Sequence, residues 1–294
     1  MDDAPTLSGS RRAATTRLNL LRIANRVRHL LRPNTRSIAR RNISEHYDLS
    51  NDFFSLWLDP SMMYSSARWP ADAAHLSLEE AQREKNEALC RHLRLRPSDH
   101  VLEIGTGWGG WSLHAARTHG CRVTTVTISR QQHDLAVRRV AEAGLTGRVD
   151  VRLQDFRDIT GRFDKLVSIE MLEAVGHAGL KPFFAACERL LQPGGKAVIQ
   201  VITIPDRKYA AYRYSSDWIR KHIFPGGHVP SIGAITKAME KGSNLHLSNL
   251  EQHGQDYAET LDRWRQTLLA RRQDILDLGY DDAFLRKWEY YFAY

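Results

Sequence analysis

The sequence predicts an α/β protein built on a doubly wound, mostly parallel sheet, and three observations predict it. Between residues 76 and 204 short apolar runs alternate with amphipathic segments of helical period. The first of those runs breaks into closely spaced glycines, VLEIGTGWGG (101–110), with a helix-compatible stretch behind it. A chain of 294 residues with 42% hydrophobic content is also large enough to bury one large core, or a core plus a small appendage. Strands alternating with helices at this spacing imply a parallel sheet covered on both faces.

Each element carries its own signal. LSLEEAQREKNEALCRHL (76–93) reads as a helix and leads through Pro97 into a first strand at 101–104. The glycine turn then opens a helix from about 109, followed by a strand near 122–127, a helix over 130–143 and a strand at 149–154. RFDKLVSIE (162–170) is a buried fourth strand. A helix around 178–191 stops at Pro193-Gly194-Gly195, and KAVIQVITI (196–204) is the fifth strand. After Pro205 the pattern turns irregular and helical, with an insertion at about 205–240 and C-terminal helices over 256–294. LHLSNLEQ (245–252) is expected as a sixth strand. The chain thus divides into an arm, 1–42, and one α/β domain, 43–294.

Glycine lets the backbone approach a ligand closely, and in an open α/β sheet the ligand crevice lies beyond the carboxyl ends of the strands. Gly105, Gly107 and Gly110 satisfy the G-x-G-x-x-G spacing of a dinucleotide loop. A dehydrogenase would place an acid after the next strand for the ribose hydroxyls, but Thr127, Ser129 and Gln132 stand there instead. The acid sits inside the first strand, at Glu103. That placement resembles motif I of S-adenosylmethionine (SAM) dependent methyltransferases, E/D-x-G-x-G, whose acid lies near the amino-acid end of the ligand.

Composition bounds the rest. Cys90, Cys121 and Cys187 are isolated, which argues against a disulfide framework or a zinc site. With no apolar run of transmembrane length and no secretory pattern, a soluble cytoplasmic protein is expected. Charge is concentrated in the arm: residues 1–45 hold ten arginines against Asp2, Asp3 and Glu45, a net +7 of the chain's formal +8. Leu20, Ile23, Ala24, Val27, Leu30 and Leu31 share one helical face there, and Arg22, Arg26, His29 and Arg32 lie on the other side. A basic amphipathic helix of this kind reads as a membrane-surface element, giving peripheral association, or as a helix docked on its own domain. Nucleic acid is disfavoured, because no aromatic residues interleave with the arginines to stack bases. The sequence leaves the oligomeric state open, a homodimer included.

Eight segments in order carry a further resemblance: ISEHYDLSNDFF (43–54), LWLDPSMMYSSA (56–67), VLEIGTGWGG, VTISRQQ (126–132), LQDFRD (153–158), SIEMLEAVG (168–176), IFPGG (223–227) and WEYYFAY (288–294). Together they resemble the cyclopropane-fatty-acyl-phospholipid synthase family, from about residue 40 to the last residue. The resemblance implies a Rossmann-like SAM methyltransferase fold whose insertion binds lipid. It also implies an enzyme acting on the cis double bond of an acyl chain in a membrane phospholipid. Glu103, Gly105 and Gly107 would line the methionine portion of SAM, Thr127 and Gln132 the ribose, and Asp155 and Phe156 the adenine. Tyr47, Tyr64 and Ser65 would close the pocket from the amino-terminal side.

An alkene is a poor nucleophile, so such a reaction needs proximity, a dry pocket and finally a base to remove one proton. The resemblance implies that the base is a bound bicarbonate, held by Glu173, Tyr257 and the main chain of Ile202. Two positions depart from the pattern, Ser66 where the family has cysteine and Gln200 where it has histidine, and they put bicarbonate in doubt. Both remain hydrogen-bonding groups. His46 and Glu170 are alternative bases. Without ring closure the product would be a methyl- or methylene-branched chain, and related proteins methylate amines. The chain also stops at Tyr294, where similar proteins continue into a last strand beside the fifth; this implies unpaired edges, and an inactive SAM-binding relic is the alternative of another class.

Overall fold

The computed structural model describes residues 49–70, 76–215 and 217–294. The basic arm, together with His46 and Tyr47, lies outside these residues. Five parallel strands form one sheet in the order β3-β2-β1-β4-β5: β1 (His100–Ile104), β2 (Arg122–Thr127), β3 (Val149–Leu153), β4 (Phe163–Ile169) and β5 (Leu191–Gln200). The order reverses at β1, which pairs in parallel with β2 on one side and β4 on the other. A crevice therefore opens beyond the carboxyl ends of β1 and β4, where an open α/β sheet binds its ligand.

Alternation along the strands sorts side chains to the two faces. Val101, Val123 and Val167 pack with Leu89 and Leu93 of α2 (Leu78–Leu93) and with Trp111 and Ala115 of α3 (Gly110–His119). On the opposite face Leu102, Ile104 and Leu166 meet Phe183, Phe184 and Leu190 of α5 (Gly176–Leu190). Helix starts follow their caps: α2 opens with a capping box between Ser77 and Glu80, and Ser129 caps α4 (Arg130–Glu142). At the turn after β1, Gly105 has φ 102° and Gly109, which caps α3, has φ 84°, both in the region that side chains avoid.

A third core is aromatic. Phe53 and Phe54 of α1 (Asn51–Ser55) and Trp57 join Trp264 of α9 (Gly254–Ala270) and Trp288, Tyr291 and Phe292 of α11 (Asp282–Ala293). Rings meet mostly edge to face, with Phe53 and Trp288 centroids 5.0 Å apart and Trp57 and Phe292 5.1 Å apart. Trp108, from the glycine turn, belongs to the same cluster, so the C-terminal helices are anchored directly beside the crevice. The segment after β5 forms α6 (Asp206–Arg213), α7 (Trp218–His222) and α8 (Ile232–Gly242); α10 (Arg272–Asp277) lies between α9 and α11. No described helix is long and apolar enough to cross a membrane.

Two expectations fail. Residues 245–252 form no strand: no described strand stands beyond β5 to pair with them, and Leu247 and Leu250 are exposed. Pro193-Gly194-Gly195 does not separate helix from strand but lies within β5, which ends at Gln200 rather than Ile204. An edge strand tolerates a residue without an N–H, and the register against β4 shifts between Phe163 and Lys165, absorbing the irregularity.

Trp288→Ala is expected to destabilise the fold by about 3–5 kcal/mol, since it empties the centre of the aromatic core. Urea denaturation followed by far-ultraviolet circular dichroism measures this, and a loss under about 1 kcal/mol would mean that α11 does not hold the domain together.

Candidate active site

A cavity of about 590 Å³ occupies the crevice at the carboxyl ends of the strands. From the sheet it is lined by Glu103, Gly105, Gly107, Thr127, Gln132, Asp155 and Phe156, which the sequence singles out as candidate ligand contacts. Tyr64 and Ser65 line it from the amino-terminal side. Arg213, Arg220, Gly226 and His228 line it from the segment that follows β5. The lining thus joins parts of the chain far apart in sequence.

Glu103 is buried at the end of β1. Its Oε2 accepts from the hydroxyls of Ser112 and of Thr125, the latter at 2.6 Å. Burial nevertheless pushes its carboxyl up to about 7. Across the turn, a Cβ added to Gly105 would lie 3.2 Å from the Met171 side chain, tighter than ordinary contact. At the end of β2 the Thr127 hydroxyl donates to Gln132 Oε1 at 2.8 Å and accepts from the Ser129 N–H at 3.1 Å, which fixes both side chains on the cavity wall. Asp155 pairs with Arg157, whose Nε and Nη2 donate at 2.8 and 2.5 Å. Phe156 packs edge to face on Phe183 at 5.7 Å.

The expected catalytic residues converge, although in an arrangement different from the one sequence suggests. The Ser66 N–H and Gln200 Nε2 both donate to Glu170 Oε1, at 2.8 and 2.9 Å, and Gln200 Nε2 also reaches the Ser66 carbonyl at 3.1 Å. The Ser66 hydroxyl turns away, to the carbonyl of Ala67. The Ile202 N–H donates to Glu173 Oε1 at 2.6 Å, while Glu173 Oε2 is buried without a hydrogen-bond partner. The Tyr257 hydroxyl lies 3.4 Å from that of Tyr291; burial, Tyr291 and the Glu170 charge raise its pKa, so it stays protonated. Of these residues only Glu170 lines the cavity; Ser66, Glu173, Gln200, Ile202 and Tyr257 do not. A bicarbonate therefore does not fit the set as built, because the donors of Ser66, Gln200 and Ile202 are already occupied by the chain's own carboxylates.

Several site residues carry no sequence signal. Lys85, amid the charged run EEAQREKNEA, reads as a solvated helix face, yet it is buried and donates from Nζ to Ser65 Oγ at 2.7 Å. Burial lowers its pKa to about 8 against the pull of Glu170, Asp59 and Glu103. Arg139 of α4 clamps the segment before Tyr64 onto the glycine turn, donating to the carbonyls of Trp108 at 2.7 Å and Ser61 at 3.0 Å. His177, Tyr209 and His228 form a hydrogen-bonded chain, 2.6 and 2.8 Å per link, and both histidines line the cavity. The i,i+3 and i,i+4 spacing of apolar residues signals packing helices, and nothing comparable marks such long-range polar contacts.

Burial, reinforced by the neighbouring Glu170 charge, pushes Glu173 from the ordinary 4.5 up to about 8. A carboxyl raised on folding lends its full stability below the unfolded value and loses it as pH climbs to the folded value. Glu173 therefore costs stability between about pH 4.5 and 8. Glu173→Gln should melt together with wild type at pH 5 and roughly 2 °C or more above it at pH 8, as read by calorimetry; identical melting at both would refute the buried, neutral carboxyl.

The family model described as mycolic acid cyclopropane synthetase matches residues 34–294. The tuberculostearic acid methyltransferase of Mycobacterium tuberculosis is 43% identical over 265 residues, covering 88% of this chain and 62% of the relative. The cyclopropane-fatty-acyl-phospholipid synthase of Escherichia coli is 38% identical over 247 residues, covering 84% and 61%. The chain thus spans about three-fifths of the length of these two relatives. Among solved structures, a cyclopropane synthase from Mycobacterium tuberculosis superimposes with a TM-score of 0.78 at 26% identity, covering 86% of this chain and 90% of that one. A mycolic acid cyclopropane synthase complexed with SAH and CTAB gives the same TM-score and coverage at 27% identity. The parallel sheet, with its ligand crevice at the glycine turn, is the SAM methyltransferase fold, and the chain belongs to the mycolic acid cyclopropane synthetase family.

Proposed function

We propose that this chain transfers the methyl group of SAM to the cis double bond of an unsaturated acyl chain in a phospholipid. The observation that carries the reading is one cavity with two kinds of wall. Glu103, Thr127, Gln132 and Asp155 make it polar at the strand ends, while Met62, Met171, Val175 and Pro182 also line it. A polar cofactor and an apolar chain call for such a lining. SAM fits the residues present: Glu103 would hold the methionine end, the Thr127–Gln132 pair the ribose, and Asp155 with Phe156 the adenine. When bound it supplies a methyl group activated by the sulfonium charge.

The chain's own residues then perform three tasks. The glycine turn brings the β1 backbone close to the donor. Tyr64, Met62 and Met63 wall the cavity near it and limit water, which would otherwise quench the cation left on the acyl chain after methyl transfer. Proton removal requires a base at the cavity surface. Two relatives' names correspond to two ends for that cation, ring closure in a cyclopropane synthase and a methyl-branched chain in tuberculostearic acid synthesis. The ring-closed product is the leading reading, and the 43% identity to the tuberculostearic acid methyltransferase supports the branched one as the alternative.

Expression in a host without such an enzyme should add the mass of one CH2 to its unsaturated phospholipid acyl chains, and upfield ring-proton NMR signals should separate a cyclopropane from a branch. Gly105→Val, strained at φ 102° and crowded by Met171, should weaken SAM binding by at least roughly tenfold in calorimetry and abolish the product. SAM binding without any lipid change, or with methylation of an amine, would overturn the reading.

We also propose that the arginine-rich arm draws the protein to anionic membrane surfaces. Removing residues 1–40 should weaken sedimentation with anionic liposomes, and added salt should narrow the difference. Equal binding by both forms would refute this role.

A further inference from the structure

We propose that the Glu170 carboxylate is the base of the reaction, a built-in group that takes the place of an exogenous bicarbonate. The proposal rests on the methyl-transfer reading above and names the residue that ends it. Four observations carry it. Glu170 is the member of the polar cluster that lines the cavity. Its hydrogen bonds all fall on Oε1, from the Ser66 N–H and Gln200 Nε2, so Oε2 makes none and keeps its lone pairs for a proton. The residue sits at φ 47°, a left-handed backbone that costs a side-chain-bearing residue about 1–2 kcal/mol and that glycine would adopt freely. Such an outlier is held from both sides, by the side-chain bonds and by the Glu170 N–H donating to the Gln200 carbonyl at 2.8 Å.

The fourth observation is the pairing with Glu173. The charge of Glu170 raises the Glu173 carboxyl, and their surroundings separate the roles of the two groups. Glu173, pushed up to about 8 by burial and by Glu170, holds the proton at neutral pH. Glu170 is raised by burial too, but the Ser66 and Gln200 donors and the buried Lys85 oppose the rise, whereas Glu173 Oε2 has no hydrogen-bond partner. Serine and glutamine at positions 66 and 200 suit this arrangement: one uses its backbone N–H, and the other donates without a charge that would compete for the proton.

The step balances within the chain and its substrates. Methyl transfer breaks the sulfonium carbon–sulfur bond, forms a carbon–carbon bond and leaves a cation on the neighbouring acyl carbon. Glu170 Oε2 then takes a proton from the added carbon, and the electron pair of that C–H bond closes the ring. For the branched product a hydride shift comes first, and the same oxygen takes the proton as a double bond forms. The proton passes to solvent once product leaves.

The test uses the full chain with SAM and vesicles of phosphatidylethanolamine and phosphatidylglycerol bearing cis-monounsaturated chains, in carbon-dioxide-depleted buffer with or without added bicarbonate. Wild type should turn over equally under both conditions, within about twofold, while E170Q should lose roughly 10²–10⁴-fold in rate with SAM affinity by calorimetry unchanged. E170G, relaxed at this φ and opened beside Gln200, should be slow without bicarbonate and gain at least roughly tenfold with it. A wild type that needs bicarbonate, or an E170Q or bicarbonate-free E170G within about threefold of wild type, would overturn the assignment. Absence of lipid product from wild type would instead overturn the methyl-transfer reading itself.

Discussion

Three carboxyl groups meet at the carboxyl ends of adjacent strands, buried Glu103 on β1 and half-buried Glu170 and Glu173 just past β4, and the site is organised around satisfying them. A carboxylate removed from water needs donors, a cation or a proton. Glu103 has the hydroxyls of Ser112 and Thr125, Glu170 has the Ser66 N–H and the Gln200 amide, and Glu173 keeps a proton. Lys85 supplies the cation nearby, held by Ser65. Satisfying these groups draws the segment at 65–67, α2 and the end of β5 to one place. The same segment is tied further by Gln82 donating to the Ser65 carbonyl at 2.8 Å and by the Ala67 N–H donating to Thr260 Oγ1 at 3.0 Å.

Around that polar centre the fold supplies position through apolar packing. Both faces of the sheet are covered, and its switch at β1 leaves the crevice open. The aromatic cluster then ties α1, the glycine-turn residue Trp108 and the C-terminal helices into one block beside it. Arg139 fastens the segment before Tyr64 to the turn through main-chain carbonyls, so that segment serves as a wall rather than a loose loop. The helices after β5 close the remaining side with Arg213, Arg220 and His228, of which Arg220 is itself fixed by the carbonyls of Gly227, Tyr212 and Ser215.

Much of this was legible in the sequence because it rests on local rules. Strands β1 to β4 stand within a residue or so of the apolar runs that announced them, α4 follows from its Ser129 cap and its period, and α3 and α5 follow from period. The glycine turn and its acid were readable because a backbone that must adopt positive φ leaves glycine in the sequence. The errors share another cause. Whether LHLSNLEQ becomes a strand depends on a neighbour to pair with, and whether Pro193-Gly194-Gly195 interrupts β5 depends on its being at an edge; both are properties of the sheet. Lys85 was unreadable for a related reason, since a lysine in a charged helical run declares itself buried only when the groups opposite it are known.

The sequence by itself determined the parallel sheet, the glycine turn with Glu103 behind it, and the set of polar residues brought to the strand ends. Only the tertiary structure decided how that set is arranged. It turns the Ser66 hydroxyl away and presents the Ser66 N–H instead, directs Gln200 onto Glu170, and leaves Glu170 as the cluster member facing the cavity. The physical reason is that periodicity and glycine spacing record the conformation of a residue's own backbone. Which donor meets which acceptor is fixed by contacts across more than a hundred residues of sequence, such as Ser66 with Glu170 and with Gln200, and these exist only once the core has closed.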